Sequence, residues 1–249
     1  MRYNGDIVAE YGILVGETVQ CVEGTPYTRL EPANRYYKLS DIKLLPPCTP
    51  SKIVAIGLNY RSHAEEFKVH IPEEPLLFLK PSTAVIGPVD SIIYPPFSQR
   101  VDYEGELGVV IKAITRQVSI KEALDYVLGY TCVNDVTARD LQSKDKQWTR
   151  AKGFDTFAPI GPCIETELDP NNIALETRLN GKLKQKTNTN DLIFPVPKLV
   201  SFVSHVMTLL PGDIIATGTT SGVGPMQPGD TVEVIIESIG TLRNYVIRF

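Results

Sequence analysis

The chain of 249 residues is poor in the residues that build disulfide frameworks and transition-metal sites. Its four cysteines (Cys21, Cys48, Cys132 and Cys163) lie far apart and show no CxxC spacing. Together with the absence of a charged and apolar leader, this spacing predicts reduced thiols in a cytoplasmic protein. Three histidines are too few to predict a histidine-rich metal site.

An excess of basic charge and long apolar runs are also missing. The formal net charge is -4, and Lys and Arg are scattered without a basic stripe. This pattern argues against a nucleic-acid partner. No apolar run approaches the roughly 18 residues that a membrane-spanning helix needs. We therefore expect a small-molecule partner, with no nucleic acid and no membrane.

The segment Ala216–Gly224 is rich in glycine and threonine but lacks the elements of a nucleotide site. It has neither the Gly-Lys-Ser/Thr ending of a P-loop nor the GxGxxG order of a dinucleotide site. Backbone N–H groups and hydroxyls in such a loop bind anions. We expect the loop to bind a substrate carboxylate.

Short β-rich runs dominate the chain and predict a mostly β protein with few helices, of the α+β class. Residues 1–47 are predicted to form a small β-rich N-terminal subdomain, and residues 48–249 are predicted to form a second, larger domain. Asn180-Gly181 predicts a type I′ hairpin, and Ser238–Gly240 predicts another chain reversal.

Two longer helices are predicted. Ser119 and Glu122 have the spacing of a capping box, which predicts a helix through about Leu128 that Gly129 stops. Pro197 is typical of a helix start and predicts a second helix as far as about Leu209.

Glu104 and Glu106 are two residues apart, and Asp135 follows about thirty residues later. In a strand, residues i and i+2 point to the same face, so two glutamates can converge on one cation. A carboxylate from a neighbouring strand would complete a set of oxygen ligands. Such ligands favour Mg²⁺ first, with Mn²⁺ or Ca²⁺ as substitutes.

The alternative for these carboxylates is a solvated strand face. Apolar neighbours on both faces indicate instead that the strand is buried, and buried carboxylates need a counter-charge. Asp102 shares the face of the two glutamates, and we expect it to support the ligands rather than to bind the cation.

Two further segments carry candidate catalytic side chains. His63 and Glu66 are three apart in a predicted short helix, so the carboxylate can orient the imidazole as a base. Lys152 is predicted in a loop among aromatic and small residues, where it can bind a carboxylate or an enolate. The alternatives are an incidental pair on an exposed helix and a surface lysine.

Over residues 50–249 the sequence resembles the fumarylacetoacetate hydrolase family, in its short branch. Seven motifs, in chain order, carry this resemblance: Gly57-Leu-Asn-Tyr-Arg-Ser-His63, Phe78-Leu-Lys-Pro-Ser-Thr83, Asp102-Tyr-Glu-Gly-Glu-Leu107, Asn134-Asp-Val-Thr-Ala-Arg-Asp140, Lys152-Gly-Phe-Asp-Thr156, Asn180-Gly181, and Thr217-Gly-Thr219 with Gly222-Val-Gly224.

The resemblance implies a mixed β-roll or β-sandwich catalytic domain, usually in a homodimer. It implies that the three carboxylates bind Mg²⁺ and that Lys152 faces a bound 2-keto acid. His63 and Glu66 match a dyad on a lid that becomes helical over the substrate. Three other residues match positions near the substrate: Arg139, Gln142 and Thr219.

The expected function is Mg²⁺-dependent hydrolysis or decarboxylation that cleaves a carbon–carbon bond through a metal-stabilised enolate. The expected substrate is a 2,4-diketo or β-keto acid such as an acylpyruvate, fumarylpyruvate or oxaloacetate, as in the catabolism of aromatic compounds. One alternative is an isomerase or tautomerase of 2-hydroxyhepta-2,4-diene-1,7-dioate or enol-oxaloacetate. Another is a non-catalytic protein that binds dicarboxylates.

Overall fold

A computed structural model describes residues 2–5, 8–67 and 70–248 of the chain. Strands make up most of the regular structure. In chain order they are β1 (Arg2–Gly5), β2 (Val8–Val15), β3 (Thr18–Gly24), β4 (Leu30–Lys38), β5 (Lys43–Leu45), β6 (Lys52–Gly57), β7 (Leu76–Pro81), β8 (Val85–Ile86), β9 (Ser91–Ile93), β10 (Val101–Tyr103), β11 (Gly105–Ile111), β12 (Val127–Asn134), β13 (Thr137–Ala138), β14 (Ala158–Glu165), β15 (Ala174–Leu179), β16 (Lys182–Asn188), β17 (Ile214–Ala216), β18 (Gly224–Met226), β19 (Thr231–Ile236) and β20 (Gly240–Ile247).

The α-helices of the described residues are short. They are α1 (Arg61–Phe67), α2 (Arg139–Asp145), α3 (Thr149–Lys152) and α4 (Val196–Val206). Short 3-10 turns lie at Leu39–Asp41, Ser82–Ala84, Ala123–Tyr126 and Thr189–Asp191. None of these helices has the length and apolarity to span a membrane.

The strands form four sheets. The N-terminal sheet has the order β4-β3-β2-β1-β5, and a central sheet has the order β7-β6-β17-β11-β12-β14-β8. A second five-stranded sheet, β16-β15-β19-β20-β9, covers one face of the central sheet, and a small sheet has the order β13-β10-β18. The pairs β6–β17, β8–β14 and β9–β20 are parallel and the other pairs are antiparallel. The predicted mostly β fold with few helices is therefore confirmed.

Both faces of the central sheet are buried. Leu107, Val109 and Ile111 of β11 pack with α4 and with β19 of the second sheet. Val110 belongs to a separate apolar cluster on the opposite face. All seven residues of β11 are buried, so a charged side chain on this strand needs partners inside the protein.

Both predicted reversals are confirmed, because each has the positive φ angles that a tight turn requires. Asn180 and Gly181 have φ angles of 52° and 75° between β15 and β16. Ser238 and Gly240 have φ angles of 65° and 106° between β19 and β20. The second predicted helix is also present, although it ends at Val206, before the predicted Leu209.

The first predicted helix is wrong. The Glu122 N–H donates to Ser119 Oγ and the Ser119 N–H donates to Glu122 Oε2, both at 3.4 Å, as in a capping box, but only a 3-10 turn follows. From Val127 onward the chain pairs with β11, and this strand pairing replaces the helix. Gly129 is not a helix stop, since a Cβ there would lie 2.3 Å from the Glu165 carbonyl oxygen. The glycine permits close approach of two strands.

The N-terminal sheet ends at Leu45, and Lys43 forms a 2.9 Å salt bridge with Asp90 outside that sheet. The division into domains at residue 47 remains a prediction.

Candidate active site

Three carboxylates meet where strands of the central sheet end. Glu104 lies between β10 and β11, Glu106 is the second residue of β11, and Asp135 directly follows β12. One ligand oxygen from each lies within 4.8 Å of the others. The side chains are buried, so they form an internal site rather than a solvated strand face.

Backbone pairing explains why the three carboxylates converge. Gly105 pairs with Asn134 in the antiparallel register of β11 and β12. The Asp135 N–H donates to the Glu104 carbonyl at 2.8 Å, and the Glu104 N–H donates to Asn134 Oδ1 at 2.9 Å. These bonds place a carboxylate from the end of one strand beside the start of the next.

Gly105, between the two glutamates, lets the second five-stranded sheet approach. A Cβ at this position would lie 2.1 Å from Thr177 Oγ1. The Gly105 N–H donates to Gln185 Oε1 at 3.0 Å, and Gln185 Nε2 donates to Thr219 Oγ1 at 2.8 Å. Thr219 in turn donates to the Gly105 carbonyl at 2.9 Å. Gln185 therefore fixes the loop of Thr219 against the glutamates.

Lys152 is buried and provides a counter-charge. It ends the short helix α3, so the predicted loop position is wrong, and the helix directs its side chain inward. Its ammonium group donates to Glu104 Oε2 at 2.8 Å and also to Asp135 Oδ2. The same ammonium lies 5.0 Å from the centre of the Phe78 ring.

Sequence reasoning missed a second buried lysine. Lys80 in β7 has no exposed surface, and its ammonium donates to Asp135 Oδ1 at 2.6 Å and to the Val136 carbonyl at 3.1 Å. The sequence does contain an indication of this burial, because Lys80 directly follows the apolar run Leu76–Leu79.

Arg139 joins several of the acidic groups. It donates to Asp102 Oδ2 at 2.9 Å, to Gln142 Oε1 at 2.7 Å and to Glu104 Oε1. Asp102 also accepts from Arg100 at 2.9 Å. The contacts of Asp102 are thus with arginines, which agrees with a supporting role.

The predicted pair of His63 and Glu66 lies on α1. Their Nδ1 and Oε2 atoms are 3.6 Å apart, and Glu66 Oε2 accepts the Gly222 N–H at 3.4 Å. Burial lowers the pKa of His63, although Glu104 and Glu66 oppose this shift. The imidazole is therefore neutral near pH 7 and able to accept a proton.

One cleft brings the candidate residues together. Apolar walls from Ile56, Leu58, Phe78 and Trp148 close the cleft, and its polar lining consists of His63, Glu104, Glu106, Asp135, Arg139, Gln142, Lys152 and Thr219. Glu66 does not line the cleft, but its carboxylate lies beside His63, which does.

The carboxylates differ in their counter-charges. Burial opposes ionisation of Glu104, but Lys152 and Arg139 outweigh it and lower its pKa to about 2. Glu106 forms no salt bridge with any described residue; its Oε2 accepts the Gly218 N–H at 2.8 Å. Burial, Asp135 and Glu104 raise its pKa well above the ordinary value.

This donor set fits a divalent cation. A cation beside Glu106 would supply the charge that the described residues do not, and the donor atoms are all carboxylate oxygens. Such donors match the preference of Mg²⁺, Mn²⁺ and Ca²⁺.

The fold and site define a family, and sequence comparison identifies the same one. Residues 52–247 match the model of the fumarylacetoacetate (FAA) hydrolase C-terminal domain, and residues 1–47 match an Rv2993c-like N-terminal domain. The chain belongs to the fumarylacetoacetate hydrolase family, as the motifs indicated.

Three relatives illustrate the activities in this family. Over 221 residues the chain is 42% identical to the mitochondrial oxaloacetate tautomerase FAHD2B of Bos taurus, covering 84% of this chain and 70% of that protein. It is 43% identical to the structure of 2-hydroxyhepta-2,4-diene-1,7-dioate isomerase from Mycobacterium marinum, with a TM-score of 0.93 and coverage of 99% and 97%.

The third relative is maleylpyruvate hydrolase from Sphingobium sp. SYK-6, in complex with manganese(II) and pyruvate. It is 29% identical, with a TM-score of 0.83 and coverage of 100% of this chain and 99% of that one. The family thus includes isomerase, tautomerase and hydrolase enzymes.

Proposed function

We propose that this protein is a metal-dependent enzyme that cleaves a carbon–carbon bond of a 2,4-diketo or β-keto acid, by hydrolysis or decarboxylation. The observation that carries this proposal is that His63 and Lys152 border the same cleft as the three carboxylates. A base, a buried cation and an oxygen-only ligand set together match the needs of that reaction.

Glu104, Glu106 and Asp135 would hold the divalent cation, with Mg²⁺ as our first choice. When bound, the cation would supply a Lewis acid that stabilises negative charge on the substrate's 2-oxo group. Because the three carboxylates are buried, such electrostatic stabilisation would be stronger than it is in water.

The residues of the chain would perform the other steps. Arg139, Gln142 and Thr219 would orient the acid, and His63 would take a proton from a water molecule. The water oxygen would add to the distal carbonyl carbon, with the carbonyl π electrons moving to its oxygen. As that carbonyl re-forms, the carbon–carbon bond breaks and its electron pair passes to the pyruvate fragment as an enolate. Lys152 would stabilise the enolate until its C3 receives the proton that His63 took from the water.

A second candidate is tautomerisation or isomerisation of a 2-oxo acid. The names of two relatives, the oxaloacetate tautomerase and the heptadienedioate isomerase, favour it. This reaction moves a proton between oxygen and carbon and needs no attacking water. It would use the same ligands and Lys152, and it would make His63 a proton carrier.

An assay with and without Mg²⁺ tests the two candidates. Purified protein is given acetylpyruvate, fumarylpyruvate, keto-oxaloacetate and enol-oxaloacetate, and pyruvate release is followed separately from enol loss. Metal-dependent pyruvate release supports cleavage. Enol loss without pyruvate supports the second candidate, and no turnover of these acids or of the heptadienedioate contradicts both.

A His63→Ala variant tests the base. We expect hydrolysis to slow by roughly 10²- to 10⁴-fold, the usual contribution of a general base. Mg²⁺ affinity should stay unchanged, because His63 is not among the proposed ligands. A variant with full activity would contradict the role of His63.

We also propose that the protein is a homodimer. Light scattering of the purified protein tests this by measuring its mass in solution.

A further inference from the structure

The start of α1 is held by a carboxylate from a distant part of the chain. Asp191 Oδ2 accepts the Ser62 N–H at 3.2 Å and the Ser62 hydroxyl at 2.8 Å. Ser62 Oγ also lies 3.0 Å from Thr220 Oγ1. Asp191, Ser62 and Thr220 therefore form a connected group, which we call the α1 clasp.

The loop that carries Thr220 is itself fixed to β11. The Thr217 hydroxyl donates to the Leu107 carbonyl at 3.0 Å, and the Thr219 hydroxyl donates to the Gly105 carbonyl at 2.9 Å. Gln185 Nε2 donates to the Thr220 carbonyl at 3.0 Å. The clasp thus connects α1 to β11, the strand that bears Glu106 and directly follows Glu104.

Helix α1 needs such an attachment. It has seven residues, and an isolated helix of fewer than about 12 residues is marginal in water. The N–H groups of a first turn have no partners inside the helix. A carboxylate that accepts one of them stabilises the helix start, and its negative charge also interacts favourably with the positive end of the helix dipole.

His63 directly follows Ser62, so the place where α1 begins determines where the imidazole lies. We propose that Asp191, acting through Ser62 and Thr220, is a positioning residue that holds His63 over the carboxylate cluster. This inference rests on the proposed function of His63. It gives Asp191, Ser62 and Thr220 a role in catalysis although none of them contacts the three candidate metal ligands.

Kinetics of Asp191→Ala test the proposal. We expect kcat for pyruvate release to fall by about tenfold to a hundredfold, the cost of a misplaced catalytic group. KM and Mg²⁺ affinity should stay within about twofold, since the orienting residues and ligands keep their contacts. Asp191→Asn retains a carbonyl oxygen for Ser62 and should restore most of the rate.

Two comparisons separate positioning from general damage. Adding Asp191→Ala to His63→Ala should cause no further loss, because residues that act through one group are not additive. The matched control is Asp230→Ala, which removes a carboxylate that accepts the Gln227 N–H at 2.6 Å in another loop. The same fall in kcat in this control, or an additive loss in the double variant, would overturn the proposal.

Hydrogen exchange distinguishes failure of the clasp from failure of the proposed function. If the parent protein turns over no substrate, the proposed function fails and exchange alone decides the clasp. Asp191→Ala should then speed amide exchange in residues 62–67 and leave residues 105–111 protected. Unchanged exchange in α1 would show that Asp191 does not hold it.

Discussion

The buried charge cluster and α1 contribute to one cleft but are built in opposite ways. Four side chains of the cluster are at most 7% exposed and have more than one partner each: Lys80, Glu104, Asp135 and Lys152. In α1, by contrast, the side chain of Glu66 is 42% exposed, and that of His63 is 15% exposed. The cluster is part of the core, whereas α1 is attached to the surface of the core.

This difference indicates how a substitution in each region should affect folding. Altering a buried partner leaves an uncompensated charge and affects folding. Altering an exposed residue of α1 removes no buried charge partner, so its effect on folding is smaller. We therefore expect substitutions in the cluster to change stability more than substitutions of exposed residues in α1 do.

The largest effect on stability is expected for Lys80→Met in the metal-free protein. The free energy of unfolding should fall by roughly 3 kcal/mol, near the lower end for a broken buried pair, since Lys152 still contacts Asp135. Denaturant unfolding measures this change, with the exposed Lys182→Met as control. If the Lys80 variant is as stable as the parent, the cluster does not contribute more to stability than α1 does.

Glu106→Gln should separate metal binding from stability within the cluster. No salt bridge to a described residue is lost, so unfolding should change little. Mg²⁺ affinity should fall by at least about tenfold to a hundredfold, because a charged ligand becomes neutral. Calorimetric titration measures it, with the exposed Glu167→Gln as control. Undiminished affinity would remove Glu106 from the ligand set.

A smaller effect is expected for Glu66→Gln on α1. The amide can still accept the Gly222 N–H, but it loses the charge that favours a protonated imidazole. Pyruvate release should slow by about tenfold, while stability should stay within roughly 0.5 kcal/mol. The neighbouring Glu65→Gln is the matched control. Equal losses in both variants would show that the orientation of His63 by Glu66 is unimportant.

The smallest effect concerns pH. Burial lowers the pKa of His63 in the folded protein, so its protonation opposes folding. The His63 contribution to stability should be lost as pH falls below about 6.5, the ordinary histidine pKa, towards the lower folded value. Unfolding of the parent and His63→Gln, both metal-free, measures the difference between pH 5 and 7.5. If the free energy of unfolding changes with pH equally in the two proteins, the pKa of His63 is not lowered in the folded state.

Glu104 and Glu106 were predictable because their spacing of two along an apolar strand is a local pattern. Two buried partners from other segments, Gln185 and Lys80, were not predicted. Gln185 lies on the polar strand Lys182–Asn188, which has the composition of an exposed edge, yet it is 1% exposed and bonded to Gly105. Burial of Lys80 likewise follows from tertiary packing, which propensity and periodicity do not encode.

The helix predicted from Ser119 to about Leu128 was wrong for the same reason, namely a partner from another segment. Ser119 and Glu122 form the capping-box hydrogen bonds that the sequence predicts, but pairing with β11 determines the conformation from Val127 onward. Local signals were reliable where two adjacent strands meet at a turn, as at Asn180-Gly181. They failed where a partner far along the chain decided between helix and strand.

The parallel pairing of β6 with β17 has a consequence for biosynthesis. It joins Ile53 to Ile214, residues separated by most of the chain. Such contacts form slowly, because a long loop must close before they contribute any stability. During synthesis the cleft therefore stays incomplete until the ribosome has released the segment that carries Thr219, and a nascent chain stalled earlier has no active site.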